Sequence, residues 1–410
     1  MRRVLLLGFA LVCAVLAYAQ GHNTGVGGHE EHGESLAEKI FKLEKKNDKF
    51  NVYLNYSASF QTKDESGDWT SGFTNRDLRL EILGNITDKL SYRLRHQLNK
   101  SNVARSEDNF AKATDIMMLN YQFNEKVGVH GGKICLNWGG FEYDENPLYI
   151  YQYSDYVYWV DIFMAGAGVS YTPVKGQEFV VQVANTFNDR IAEEYGENAV
   201  GVDKDPATAQ PLTASKSPLT YLINWNGSFF GGKLLTRWAW GIQTLAKHKN
   251  SKMLSLGQQL TLPHLQWYFD YMGAWEGLDH MRIASTEAAT YFAEHGLENG
   301  YLNDVRYHSF ITKLNWQFVP RWNLMLKGAY ETVSAPKLEP FKNYRKSFLY
   351  AASMEYYPRT GFPTLPCLHR QQGGLQPTLR LGRLLAQPHR TRIYVPAEML
   401  LMRCRNNDIT

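Results

Sequence analysis

Eight cations occupy positions in runs with the two-residue periodicity of strands: Arg79, Arg93, Arg95, Lys133, Arg237, Lys313, Lys327 and Arg345. Successive strand side chains point to opposite faces, so these residues fall on the polar faces, Lys133 least regularly. A ring of one charge sign around a narrow aqueous passage selects ions. The sign here is mixed, because Glu81, Asp270, Glu331 and Glu355 share those faces. Arg93 and Arg95, on one strand, read either as the start of a basic ladder or as salt-bridged filler. Catalysis asks for a nucleophile, a base and an orienting group at one place. His308 and Ser309 are neighbours and so face opposite ways, as do His96 and Ser91. No catalytic residue and no cofactor site is expected. His29 and His32, with His22 nearby, form a tract able to bind zinc or copper weakly, but no scaffold fixes it and no metal site is assigned.

The elements that hold these residues are amphipathic strands. In Asn51–Gln61, Val52, Leu54, Tyr56, Ala58 and Phe60 share one face, and Tyr53, Asn55, Ser57, Ser59 and Gln61 the other. Leu78–Leu83, Leu90–Leu98, Met117–Phe123 and Val127–Lys133 follow. Further strands are predicted over Met164–Thr172, Glu178–Asn185, Leu219–Asn226, Lys233–Thr244, Lys252–Thr261, Leu265–Trp275, Arg306–Phe318, Trp322–Glu331 and Arg345–Tyr357, making 14. Trp267, Phe269, Tyr271 and Trp275 on one face, and Phe310, Leu314, Trp316 and Phe318 on another, suit contact with lipid. Connections alternate between short ones (173–177, 227–232, 262–264, 319–321) and long ones (62–71, 138–162, 186–218, 276–304). Apolar-out, polar-in strands with short turns on one side and long loops on the other describe an antiparallel up-and-down transmembrane β-barrel.

Composition agrees. Arg2 and Arg3, the apolar run Val4–Leu16 and Ala17-Tyr18-Ala19 form a signal peptide, with cleavage expected near Ala19. That run is too short for a permanent span, which takes about 20 residues. Beyond it no apolar stretch reaches membrane-helix length. Mean hydropathy is -0.39 while aromatics reach 13%, which excludes a helical membrane protein and suits a barrel. Cys13 lies in the signal, Cys135 in the body, and Cys367 and Cys404 near the end, so there is no disulfide framework. Residues 20–48 read as a flexible His-containing arm followed by a short amphipathic helix from Ser35, where Ser35-Leu36-Ala37-Glu38 forms a capping box. Residues 49–358 form the barrel.

From Arg359 the pattern stops. Residues 359–410 carry eight arginines, no lysine and five prolines. The stretch from Phe362 to Gln376, read one nucleotide later, permits Phe-Arg-Leu-Phe-Leu-Ala-Tyr-Ile-Gly-Asn-Lys-Val-Asp-Tyr-Ser, an amphipathic strand. Arg390–Val395 likewise permits Glu-Arg-Val-Tyr-Met-Tyr. This aberrant basic tail is therefore read as frameshifted, and two restored strands would make 16. The tail contributes +6 and the signal +2 to the net +4, leaving -4 for residues 20–358. The basic balance belongs to the ends and is no argument for nucleic acid.

Gly132-Lys133, Trp138-Gly139-Gly140-Phe141-Glu142-Tyr143-Asp144, Asn146-Pro147, Tyr149 and Tyr151-Gln152-Tyr153-Ser154-Asp155 give the chain a specific likeness. With the Asn51–Gln61 strand and the Leu90–Leu98 hairpin, it resembles the phosphate-selective porin O and P family in its Bacteroidetes-type branch. The resemblance covers roughly residues 49–357. It implies a 16-stranded outer-membrane barrel of a Gram-negative bacterium, usually a homotrimer, passing small hydrophilic solutes or ions, with an anion or phosphate preference as an open alternative. In such a barrel the eight cations become pore-lining candidates. An inward-folded loop that narrows the pore would be 138–162, with Trp138, Glu142, Tyr143, Asp144, Tyr153 and Asp155 as constriction candidates. Outer-membrane lipids and small solutes or anions are the expected partners. Two other readings stay open on sequence: a surface-binding adhesin barrel, for which the acidic 186–218 loop is the candidate contact, and an outer-membrane enzyme.

Overall fold

The computed structural model describes residues 47–65, 68–145, 150–356, 369–372 and 391–394. Fourteen strands form one antiparallel sheet in chain order. They are β1 (Asn51–Glu65), β2 (Asp68–Asn85), β3 (Leu90–Gln97), β4 (Thr114–Gln122), β5 (Val127–Cys135), β6 (Phe163–Val174), β7 (Gln177–Asn185), β8 (Leu219–Phe229), β9 (Leu234–Ala246), β10 (Lys249–Leu262), β11 (Leu265–Glu276), β12 (Val305–Val319), β13 (Trp322–Ser334) and β14 (Arg345–Tyr356). Every neighbour in the sheet is a neighbour in sequence, so the topology is up-and-down. Most strands exceed the roughly 9–11 residues that a tilted strand needs to cross a bilayer. The sheet's edges are β1 and β14. Two short strands, β15 (His369–Gln372) and β16 (Thr391–Tyr394), pair with each other, β15 lying against β14 and β16 against β1. They fall inside the two stretches whose shifted reading frame permits strands. The signal, the arm, the helix from Ser35 and the rest of the tail lie outside the described residues.

Alternation decides which face meets lipid. On β11 Trp267, Phe269 and Trp275 are exposed, while Tyr268, Asp270 and Met272 are buried. The register continues this across strands: Tyr271 pairs with Phe310, Phe310 with Tyr330, and Tyr330 with Phe348. The result is an outward row of rings with centroids 5.1, 6.4 and 4.8 Å apart. Toward the short-turn end, Trp267, Trp316 and the Trp322–Tyr356 pair form a second group. Outward rings gathered toward the two ends of the strands are the girdles of a membrane barrel.

Two connections differ from expectation. Residues 62–71 are not a long loop: β1 and β2 continue as a hairpin to Glu65 and Asp68, with the ladder unbroken from Thr62–Ser71 to Glu65–Asp68. The 186–218 loop is folded rather than merely solvated. Its Val200–Val202 pairs in parallel with Gly300–Leu302 from the 277–304 loop and antiparallel with Gln210–Pro211. Phe187, Tyr195, Ala199, Leu245, Ala246 and Leu278 pack beneath it. That apolar burial holds the two longest loops together as a cap over the long-loop end.

Candidate functional site

The segment after β5 turns into the barrel. It carries two short helices, α1 (Phe141–Asp144) and α2 (Asp155–Trp159). Gly139 and Gly140 start the turn with φ of 73° and 81°, a region glycine enters at no steric cost. They also need the space. A Cβ on Gly139 would lie 3.0 Å from the Ala239 nitrogen, and the Gly140 nitrogen donates to the Arg237 carbonyl at 3.0 Å. Facing glycines in the wall complete the fit: a Cβ on Gly241 would sit 2.7 Å from the Trp138 indole, and one on Gly257 2.8 Å from the Gly140 Cα.

Charge then fastens the loop by exchange. Wall carboxylates cap loop helices. Asp270 on β11 accepts the Phe141 and Glu142 amides at 2.8 and 2.9 Å, at the start of α1. Glu331 on β13 accepts the Asp155 and Tyr156 amides at 2.9 and 3.0 Å, at the start of α2. These are the amides that a helix start leaves unpaired. In return, loop carboxylates take wall cations. Asp144 pairs with Arg237 at 3.0 Å, Glu145 with Lys313 at 2.7 Å, and Asp155 with Arg345 at 2.6 Å. Glu142, fully buried, pairs with Lys327 and accepts from the Ser154 nitrogen at 2.9 Å. Lys327 also donates to the Gln152 carbonyl at 2.6 Å, and the Tyr151 hydroxyl reaches Glu355 at 3.1 Å. Burial pushes the Glu145 carboxyl above its usual range against the pull of Lys313 and Lys327. It does the same to the phenols of Tyr143 and Tyr156. At the far end of the loop Asp161 lies 3.3 Å from His280 of the 277–304 loop.

The β1–β4 wall forms its pairs within itself. Arg93 holds Glu81 at 2.7 Å. Arg79 lies 3.1 Å from Asp77 and 3.3 Å from Asp115, and Arg95 lies 3.2 Å from Asp115. Gln97 and Asn55 donate to the same acids. The three arginine side chains remain 14, 33 and 12% exposed for Arg79, Arg93 and Arg95, against 6, 3 and 6% for Asp77, Glu81 and Asp115. In each pair the cation is thus the more exposed partner, and Arg93 reaches the water most.

Seven of the eight sequence candidates therefore lie on these two walls, each beside a carboxylate. Lys133 does not line the lumen: it is buried at the long-loop end of β5, paired with Asp108 and donating to Asn188 at 2.5 Å. Gly132, with φ of 120°, interrupts the strand geometry just before it. Among the constriction candidates, Trp138 is buried and donates its indole N–H to the Asp161 carbonyl, while Tyr143 and Tyr153 pack against the same core. Asn146, Pro147 and Tyr149 lie outside the described residues. Sequence reading missed Asp115 as the hub of the arginine ladder and missed the capping by Asp270 and Glu331. The signal available was glycine at inward positions of good strands, Gly241 and Gly257, which marks close approach of another backbone. His308 and Ser309 do point apart: His308 meets the Tyr271 hydroxyl on the outer face and Ser309 donates to Glu331 inside.

A family model, phosphate-selective porin O and P, matches residues 50–364. The chain belongs to this family. As a porin of the outer membrane it is a passive-diffusion channel. No curated protein matches the chain. Among solved structures it is similar in fold to the outer membrane channel DcaP of Acinetobacter baumannii, at 9% identity and TM-score 0.53, covering 85% of this porin and 94% of that chain. It is similar also to an anion-selective porin from Comamonas acidovorans, at 11% identity and TM-score 0.52, covering 85% and 98%. A third likeness is to OmpF of Salmonella typhi, at 10% identity and TM-score 0.51, covering 88% and 99%.

Proposed function

We propose that small hydrophilic solutes pass between the inward loop and the β1–β4 wall, and that the Arg79–Arg93–Arg95 ladder gives this passage a weak anion preference. The observation that carries the reading is that in each pair the guanidinium is more exposed than its carboxylate, most clearly at Arg93, whose side chain is 33% exposed against 3% for Glu81. Net charge across the ladder is close to zero, so the preference is modest and strong phosphate selectivity has no unpaired cation here to rest on, among the described residues. The cations on β9–β14 are fastening groups for the loop. The protein acts as a channel rather than an enzyme, and assembles as a homotrimer after cleavage near Ala19. The adhesin reading draws support from the folded cap alone. In our reading β15 and β16 close the barrel between β14 and β1.

The test is conductance of the purified protein in planar bilayers under a salt gradient, with liposome swelling by small sugars beside it. The expected result is sugar entry and a reversal potential slightly on the anion side. Exclusion of sugars would leave the adhesin reading. A clear cation preference would remove the ladder's proposed role while leaving the channel.

A further inference from the structure

Among the described residues, the seven cations on the two inner walls each stand beside a carboxylate. The outer surface behaves differently. Lys252 pairs in register with Trp275, Trp275 with Arg306, and Arg306 with Ser334, so these four form one rung across β10–β13. One rung nearer the membrane centre, Gly273 pairs with His308, His308 with Thr332, and Thr332 with Lys346. All lie on the outward face, two and four residues beyond the Tyr271–Phe310–Tyr330–Phe348 aromatic row. Lys252, Arg306 and Lys346 are exposed, and none has an ion pair among the described residues. The outward faces of β10–β14 supply no carboxylate beside them.

We propose that Lys252, Arg306 and Lys346, with Trp275 and His308 between them, bind phosphate-bearing lipid head groups of the outer leaflet. The level fits: the cations stand just past an aromatic girdle, at the long-loop end that faces outward in such barrels, where head groups begin. The chemistry fits as well. Unpaired ammonium and guanidinium groups at a membrane surface attract anionic lipid, and guanidinium engages phosphate oxygens in pairs. The side chains are long enough to reach up from the girdle to the head-group layer. A second copy of the chain on this face would have to bring carboxylates to meet three unpaired charges, whereas the outer leaflet supplies phosphate without further design.

The experiment is native mass spectrometry of the full-length protein in a neutral maltoside detergent, titrated with diphosphoryl lipid A and, in a separate arm, with sodium phosphate. Parent protein should retain diphosphoryl lipid A, and sodium phosphate should not displace it. The triple variant Lys252→Gln, Arg306→Gln, Lys346→Gln should weaken retention roughly 100-fold, from about five-fold for each surface cation. Lys126→Gln, in a short turn at the other end, should leave it unchanged. These side chains are exposed, so folding, read by heat-modifiable migration, should be the same in all variants. Undiminished retention by the triple variant overturns the proposal. Displacement by sodium phosphate does so too, assigning the row to free anions. So does a loss of subunits in the same spectra on going to the triple variant, which assigns the face to a second copy.

Discussion

The β9–β14 wall and the β1–β4 wall carry the same residue types in similar alternation, yet they use them differently. On β9–β14, Arg237, Lys313, Lys327 and Arg345 take their carboxylates from the inward loop, while Asp270 and Glu331 cap that loop's helices. On β2–β4, Arg79, Arg93 and Arg95 take theirs from the wall itself. A long-range pair fixes a loop; a cross-strand pair leaves the sheet as it was. One wall is an anchor and the other a lining, and that division is decided by which element supplies the acid.

The seam where the walls meet gives the largest expected effect. With β15 and β16 absent, β1 and β14 leave rows of unpaired amides and carbonyls toward lipid, at several kcal/mol for each group. Truncation after Tyr356 should abolish the heat-modifiable folded form in detergent. Replacing residues 362–376 and 390–395 by the peptides of the shifted frame should raise the yield of folded barrel. A truncated chain that folds as well as its parent would break the picture of two walls joined by a closing hairpin. Sequencing the gene from codon 350 onward checks the shifted frame directly.

The anchor comes next. Lys327→Met leaves Glu142 buried without its cation, which costs about 3–5 kcal/mol for a buried pair broken on one side. The thermal midpoint should drop and the loop should loosen, seen as faster sugar entry in liposome swelling. Removing both charges, Lys327→Met with Glu142→Met, should recover much of the stability. Parent-like melting and swelling in the single variant would mean that the loop is held by its apolar contacts with Tyr268 and Met272 instead.

The lining should respond in selectivity rather than stability. Arg93→Gln leaves Glu81 and should move the reversal potential toward cations. Glu81→Gln frees Arg93 and should move it toward anions. Each shift should stay within about five-fold in permeability ratio, since a unit charge some 4 Å away in bulk water is worth about 1 kcal/mol. The paired variant Lys313→Gln with Glu145→Gln, on the anchor wall, should leave the ratio in place. Equal shifts from both walls would erase the distinction between them.

Much of this was legible from residue order. The 14 strands and their faces follow from alternation and turn residues, whereas the inward loop was expected only through the family resemblance and its place after the fifth strand. What was not legible depends on partners far apart in sequence. Arg237 and Arg93 look alike on their strands; only the fold shows that one meets Asp144 and the other Glu81. Asp270 reads as one more inward acid, and its capping role needs α1 to arrive. Lys133 follows the strand pattern until Gly132 breaks the geometry. The folded cap was hidden because strands of two or three residues have no periodicity to detect, and its apolar residues come from both loops and the end of β9.

The smallest effect lies where the anchor reaches the cap, at Asp161 and His280. Burial alone would lower the His280 pKa, but Asp161 and Glu276 outweigh burial and Arg282, so it stands above its ordinary 6.5. Burial likewise works against the Asp161 charge, yet pairing with His280, together with Arg282 and Arg105, brings that carboxyl below 3.8. The signs follow. A raised histidine pKa contributes stability that is complete below pH 6.5 and fades as pH rises through the folded value. A lowered aspartate pKa contributes stability that is complete above 3.8 and fades as pH falls through its own. The contact is thus strongest in the mildly acidic range between them and loosens above neutrality. Asp161 keeps 39% of its side chain exposed, so water screens the pair and the effect is slight. Melting curves at pH 6 and pH 9 should show a larger fall for the parent than for His280→Asn, and Asp161→Asn should match the histidine variant. Equal falls in all three would place the anchor's hold on the loop entirely in the β9–β14 wall, with the cap adding nothing.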